Sequence, residues 1–80
     1  MKLPRDVSGN DLVRALKSLG YLPTRQSGSH IRLTTEEKGS HHVTVPKHDS
    51  LKLGTLASIL DDVAKHRGMA RNELLLNLRL

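Results

Sequence analysis

The chain contains no cysteine, no tryptophan and no phenylalanine, and Tyr21 is its only aromatic residue. Without cysteine there is neither a disulfide framework nor a thiolate zinc site to brace a small core. The same absence fits a reducing compartment, and a cytoplasmic location is expected. With one aromatic ring the chain lacks the faces on which RRM and cold-shock modules stack bases. Any contact with RNA must therefore use phosphates, hydrogen bonds and shape. No window approaches the ~18 apolar residues of a membrane span. The opening MKLPRDVSGND has no apolar run behind its early lysine, so no secretory signal is expected there. Acidic residues are also missing from one long stretch. Between Leu12 and Thr35 stand Arg14, Lys17, Arg25 and Arg32 with no Asp or Glu.

What is present is a small basic chain of 80 residues with net charge +5. A chain of this size buries only about 60–65% of its unfolded surface, which predicts one domain, residues 1–80, with a thin core. The one-signed stretch suits a polyanion partner. Charge alone is equally compatible with a soluble protein that is merely basic.

Periodicity supplies the elements. From Ser8 to Leu19, a cap at Ser8, Asp11 three positions on and the stripe Leu12, Val13, Leu16 and Leu19 predict an amphipathic helix closed by Gly20. Tyr21 to Gln26 reads as a short strand that Pro23 confines to an edge. Ser27-Gly28 is a turn. Ser29 to Thr35 alternates, with Ile31 and Leu33 on one face and His30, Arg32 and Thr34 on the other. Glu36 to Ser40 forms a hairpin loop, and His41 to Val45 a third strand with Val43 and Val45 inward, ended by Pro46. After a loop from Lys47 to Lys52, a helix runs from Leu53 or Gly54 to His66, burying Leu53, Leu56, Ile59, Leu60 and Val63 and closing at Gly68. A last helix spans Ala70 to Leu78 and carries more leucine than one buried face requires. The order is helix, three-stranded antiparallel meander, helix and helical tail. It predicts a two-layer α+β sandwich with the topology of double-stranded-RNA-binding domains.

Three segments together carry a resemblance: Gly28-Ser29-His30, Val45-Pro46-Lys47-His48, and Leu53 to Leu60, preceded by Leu19-Gly20-Tyr21. In this order and at these separations, they resemble the HicA toxin family over about residues 10 to 76. The resemblance implies a toxin that cleaves mRNA, a double-stranded-RNA-binding-like fold, a catalytic histidine at His30, and neutralisation by a cognate HicB-type antitoxin, which the basic charge of this chain predicts to be acidic. The chain departs from the family pattern at Ile31-Arg32-Leu33, where an aromatic is often found. It departs again at Met69-Ala70-Arg71-Asn72, which lacks a Ser or Thr cap, and at Leu74-Leu75, where Phe is common.

The chemistry suits the residues. Metal-free RNA cleavage needs a base for the 2′-hydroxyl proton, an acid for the leaving oxygen and positive charge around the phosphorane. Histidine as a residue type titrates near working pH. Arg32 lies two residues from His30 on the same side, Arg25 is on the neighbouring strand, and Gly28 and Ser29 leave room for a phosphate. Without the family pattern, His30 would read as a solvated strand histidine. His48 is either an acid partner or a structural residue bonded to backbone. His41 and His42 read as plain strand residues, and His66 as a charge at a helix end. Lys47 and Lys52 flank the start of the second long helix, whose amides near Gly54 and Thr55 form a phosphate site or are simply capped by Thr55 or Ser50. No histidine spacing suggests a metal, and no cofactor is expected. Three functions remain open: an endoribonuclease toxin, a non-catalytic RNA-binding module of the same fold, and a basic adaptor for an acidic protein.

Overall fold

Ser8 fixes where the first helix begins. Its hydroxyl accepts the Asp11 amide at 3.0 Å, and the Asp11 carboxylate accepts the Ser8 amide at 3.2 Å, so two otherwise unpaired donors are satisfied reciprocally. In the computed structural model, which describes residues 3–80, this capping box opens α1, Gly9–Lys17. Met1 and Lys2, part of the stretch read as lacking a signal, lie outside the described residues. Then follow β1 (Leu22–Ser27), β2 (His30–Thr35), β3 (His41–Pro46), α2 (Leu53–Arg67) and α3 (Arg71–Leu78). The expected α+β order is the observed one, and it is the order of a double-stranded-RNA-binding-like fold.

The three strands form one antiparallel sheet in the order β1-β2-β3. Ile31 pairs with Val45 and Leu33 with Val43, which puts all four side chains on the covered face. Both α1 and α2 pack on β3, and α3 packs on α2. The core joins Leu12 and Leu16 of α1 to Leu56, Leu60 and Val63 of α2 through that sheet face. None of the described helices covers the other side, and every residue of β1 is exposed.

Several boundaries differ from expectation. The first helix ends at Lys17 because the chain turns at Ser18, and Gly20, at φ +90°, redirects it towards the sheet. Tyr21 is fully buried ahead of β1 rather than part of it. β1 is irregular where Pro23 was expected to disturb it, with the register shifting between Pro23 and Arg25. β3 runs through Pro46, which closes it as the last residue instead of standing beyond it. Leu53, expected in the apolar face of α2, is 41% exposed, since the helix starts there and points this residue outward; Ala64 is buried with the rest of the stripe. Gly68 ends α2 in the left-handed conformation, as expected.

The leucine-rich tail packs back on its own molecule. Leu74, Leu75 and Leu78 are buried in the common core, Leu80 is half-buried, and Leu76, at 67% exposed, is the one pointing away. The amino-terminal segment is also tied down. Val7 is buried, its carbonyl accepts the Leu51 amide at 2.7 Å, and Leu51 is buried beside it. No described helix is long and apolar enough to cross a membrane.

Candidate functional site

The bare sheet face presents its side chains in transverse rows set by strand register. Ser27 opposes His30, which opposes Pro46; Arg25 opposes Arg32, which opposes Thr44; Thr34 opposes His42. Successive rows are two residues apart along β2, roughly 6.8 Å. His30 and Arg32, both exposed, therefore stand in adjacent rows on one face, with Arg25 directly across from Arg32. Like charges placed opposite each other on neighbouring strands repel. Neither arginine has a carboxylate partner among the described residues, whereas Arg14, Arg67 and Arg71 each do.

The turn before His30 is held against the end of β3. Gly28 supplies the left-handed φ of 58° that the turn needs, and nothing lies within 4 Å of where its β-carbon would be. The Lys47 amide donates to the Ser29 carbonyl, which carries the pairing one step beyond His30 and Pro46. This brings Gly28-Ser29-His30 and Pro46-Lys47-His48 side by side. The His48 carbonyl accepts the Gly9 amide at 2.9 Å, so its backbone is a structural contact while its exposed side chain makes no hydrogen bond among the described residues. Lys47 and Lys52 are exposed, and Thr55 is half-buried. The start of α2 has Lys52 at its cap with no side-chain bond to the first amides and no acidic residue in the first turn. The capping by Thr55 or Ser50 weighed from the sequence is thus absent, and these amides remain open to an anion.

A second group of polar side chains lies at the opposite end of the β2–β3 hairpin. His41 was expected to be a plain strand residue. Instead its Nδ1 accepts the Tyr21 hydroxyl at 2.7 Å, and its Nε2 donates to the Asp62 carboxylate at 3.3 Å. Its ring stacks on His66 with centroids 4.4 Å apart. His66 Nε2 donates to the Glu37 carbonyl at 3.0 Å, so His66 ties α2 to the hairpin loop as well as sitting at a helix end. Burial pushes the Tyr21 phenol above its ordinary pKa. His41, Asp62, Lys65 and His66 line a hollow of about 390 Å³. A larger groove of about 770 Å³ runs between the amino-terminal segment, α1 and the end of α3, past Arg5, Arg14 and Arg79. Neither includes His30, which is exposed.

His42 also differs from expectation: its Nδ1 lies 2.7 Å from the Thr34 hydroxyl, which is 2.9 Å from that of Thr24. Sequence reasoning treated both residues as ordinary strand positions. Alternation already puts Thr34 and His42 on the same face as His30; only the strand register, pairing Thr34 with His42, brings them into contact.

A three-stranded sheet with helices on one side and a polar, basic face on the other defines a small α+β protein of the double-stranded-RNA-binding-like class. The profile of one family, described as HicA toxin of bacterial toxin-antitoxin, matches residues 9–64. The chain belongs to the HicA toxin family and is the toxin component of a toxin-antitoxin system, with a cognate antitoxin as its partner. No curated protein and no solved structure shows significant similarity to it.

Proposed function

We propose that this toxin is an endoribonuclease that cleaves mRNA, arresting translation and growth, with His30 as its catalytic residue and without a metal. The observation that carries the reading is the cross-strand pair Arg25 and Arg32, unneutralised and one row from His30 on a face that no helix covers. Two facing arginines cost stability in isolation, and a bound phosphodiester offsets that cost by supplying the missing anion. His30 takes the proton of the 2′-hydroxyl, and the 2′-oxygen attacks phosphorus. The bond to the 5′-oxygen breaks, leaving a 2′,3′-cyclic phosphate and a 5′-hydroxyl. Arg25 and Arg32 stabilise the negative charge that builds on the phosphorane. His48, on the neighbouring segment with a free side chain, is the candidate donor of the proton to the leaving oxygen.

Gly28 and Ser29 let the strand approach closely, while Lys47, Lys52 and the amides near Thr55 hold flanking phosphates. The whole chain acts as one RNA-cleaving domain in the cytoplasm. Its antitoxin is an acidic HicB-type protein that covers His30, Arg32 and the Lys47-to-Thr55 segment, a fit favoured by opposite charge.

The test is His30→Ala. The substituted protein is expected to stay folded, because His30 is exposed, and to lose both growth arrest and transcript cleavage. Full toxicity of His30→Ala would overturn the catalytic assignment. RNA binding that persists without any cleavage by the unsubstituted protein would favour the non-catalytic module.

A further inference from the structure

The same sheet face carries a third row that the cleavage step does not use. Thr24, Thr34 and His42 cross the three strands in a hydrogen-bonded line, on the far side of the Arg25–Arg32 pair from His30. We infer that this row is a second phosphate-binding position for single-stranded RNA, with His42 contacting the backbone two rows from His30. The inference rests on reading this face as the RNA-binding face and extends it to a part of the strand away from the cleaved bond.

The hydrogen-bond directions support it. The Thr24 hydroxyl also lies 3.4 Å from the Arg32 carbonyl, an atom that can only accept. With Thr24 donating there, Thr34 donates to Thr24, and His42 Nδ1–H donates to Thr34. Every proton along the line is used, and the ring is held at one angle by its Nδ1 side. His42 Nε2 has no partner among the described residues, and when protonated it presents one N–H to solvent. His41 and His66 differ, since each spends Nε2 on a partner inside the protein. Because the Nδ1–H bond to Thr34 is kept in both charge states, the imidazolium form of this exposed ring presents its outer N–H to an anion, whereas the neutral form presents only a lone pair.

Spacing adds a second argument. His30, Arg32 and Thr34 succeed one another along β2 at roughly 6.8 Å per row, which is comparable to the distance between successive phosphates of an extended single strand. A strand laid along β2 with its cleaved phosphate between His30 and the Arg25–Arg32 pair would carry the next phosphate towards His42. The face carries no Phe, Tyr or Trp, since Tyr21 is the only one in the chain and is fully buried. Its arginines, threonines and histidines suit the sugar-phosphate backbone, and such contacts carry no sequence information.

The experiment measures binding rather than turnover. Full-length protein carrying His30→Ala, which leaves RNA intact, is titrated with a uridine dinucleotide and with octauridylate over a range of salt concentrations at about pH 5.5, where an ordinary imidazole is cationic. Adding His42→Ala is expected to weaken octauridylate binding about tenfold, the worth of one hydrogen bond to a charged group, and to leave the dinucleotide unaffected. The slope of log K against log salt should fall by about 0.7, one phosphate contact on a single strand. Thr34→Val should give a smaller loss of the same length-dependent kind, because it frees the ring without removing it. Unchanged melting of each variant separates these effects from misfolding. Equal affinity for octauridylate with and without His42, or an equal loss at both lengths, would overturn the inference. So would a loss seen only in binding to an acidic protein. Length-dependent loss together with no cleavage by the protein that retains His30 would leave this position standing and remove the catalytic reading instead.

Discussion

Gly9 lies so close to the Pro46 carbonyl that a β-carbon at position 9 would overlap the oxygen, and its amide donates to the His48 carbonyl at 2.9 Å. The start of α1 and the end of β3 are therefore in backbone contact, and the segment that carries Lys47 and His48 is shaped by a residue some forty positions earlier in the chain.

Gly9→Ala should destabilise the protein. Alanine in a helix is ordinarily favoured over glycine by about 0.5–1 kcal/mol, but overlap with a packed backbone costs about 1–3 kcal/mol, so the overlap wins. Gly54→Ala, in the first turn of α2 with nothing within 4 Å of the added carbon, should be neutral or slightly stabilising. Denaturant melts of both variants check the opposite signs. A Gly9→Ala protein as stable as the parent would show that the contact yields easily.

Tyr21→Phe removes the hydroxyl that His41 Nδ1 accepts. The expected cost is about 1 kcal/mol, a fall of roughly 4–8 °C in Tm for a domain of this size. RNA cleavage should be unchanged, because His41 and His30 lie at opposite ends of the β2–β3 hairpin. A double-mutant cycle with His41→Ala tests the origin of the loss. Additive effects would mean that the two side chains do not interact.

Acid should weaken the fold through Asp11 and Asp61. The Ser8 amide, then its hydroxyl, holds the Asp11 carboxyl below its ordinary value, and the Arg71 guanidinium does the same for Asp61 at 2.6 and 2.7 Å. A carboxyl whose pKa is lower in the folded state contributes stability above its unfolded value, which is lost as pH falls through the folded one. Stability should thus decline from about pH 4 downward. The double variant Asp11→Asn, Asp61→Asn should decline less steeply over that window in urea melts, and an identical slope would assign acid sensitivity to other groups.

Cleavage should persist in excess chelator. The described residues include no group of three or more His, Cys, Asp or Glu placed to hold an ion. Loss of transcript cleavage with chelator, restored by a divalent cation, would contradict the proposed use of His30.

Local chemistry was the legible part of the fold. The Ser8–Asp11 box, the Gly28 turn, the Gly68 stop and the alternation of β2 and β3 each depend on residues a few positions apart, and each is found where the pattern puts it. The polar group around His41 was not legible because its partners Tyr21 and Asp62 are 20 and 21 residues away and meet it only through the fold. Gly9 is a similar case, since its neighbour is a loop that no helical pattern foresees. The tail misled differently: with leucines all round, periodicity could not choose between Leu75, which is buried, and Leu76, which is not. For the candidate site, alternation along β2 and β3 was enough to align His30, Arg32 and His42 on one face. Only the strand register, with its shift between Pro23 and Arg25, set Arg25 against Arg32.

The burial of Tyr21 has a spectroscopic consequence. As the sole aromatic side chain, fully enclosed and bonded to His41, it is the only source of intrinsic protein fluorescence and the dominant source of near-ultraviolet dichroism. Every such signal from this protein reports on one locus, the junction of the α1–β1 turn with β3. Emission that shifts when an antitoxin binds would therefore register a disturbance carried through the sheet to its far end, while a partner that merely covers His30 would leave the tyrosine dark to its arrival.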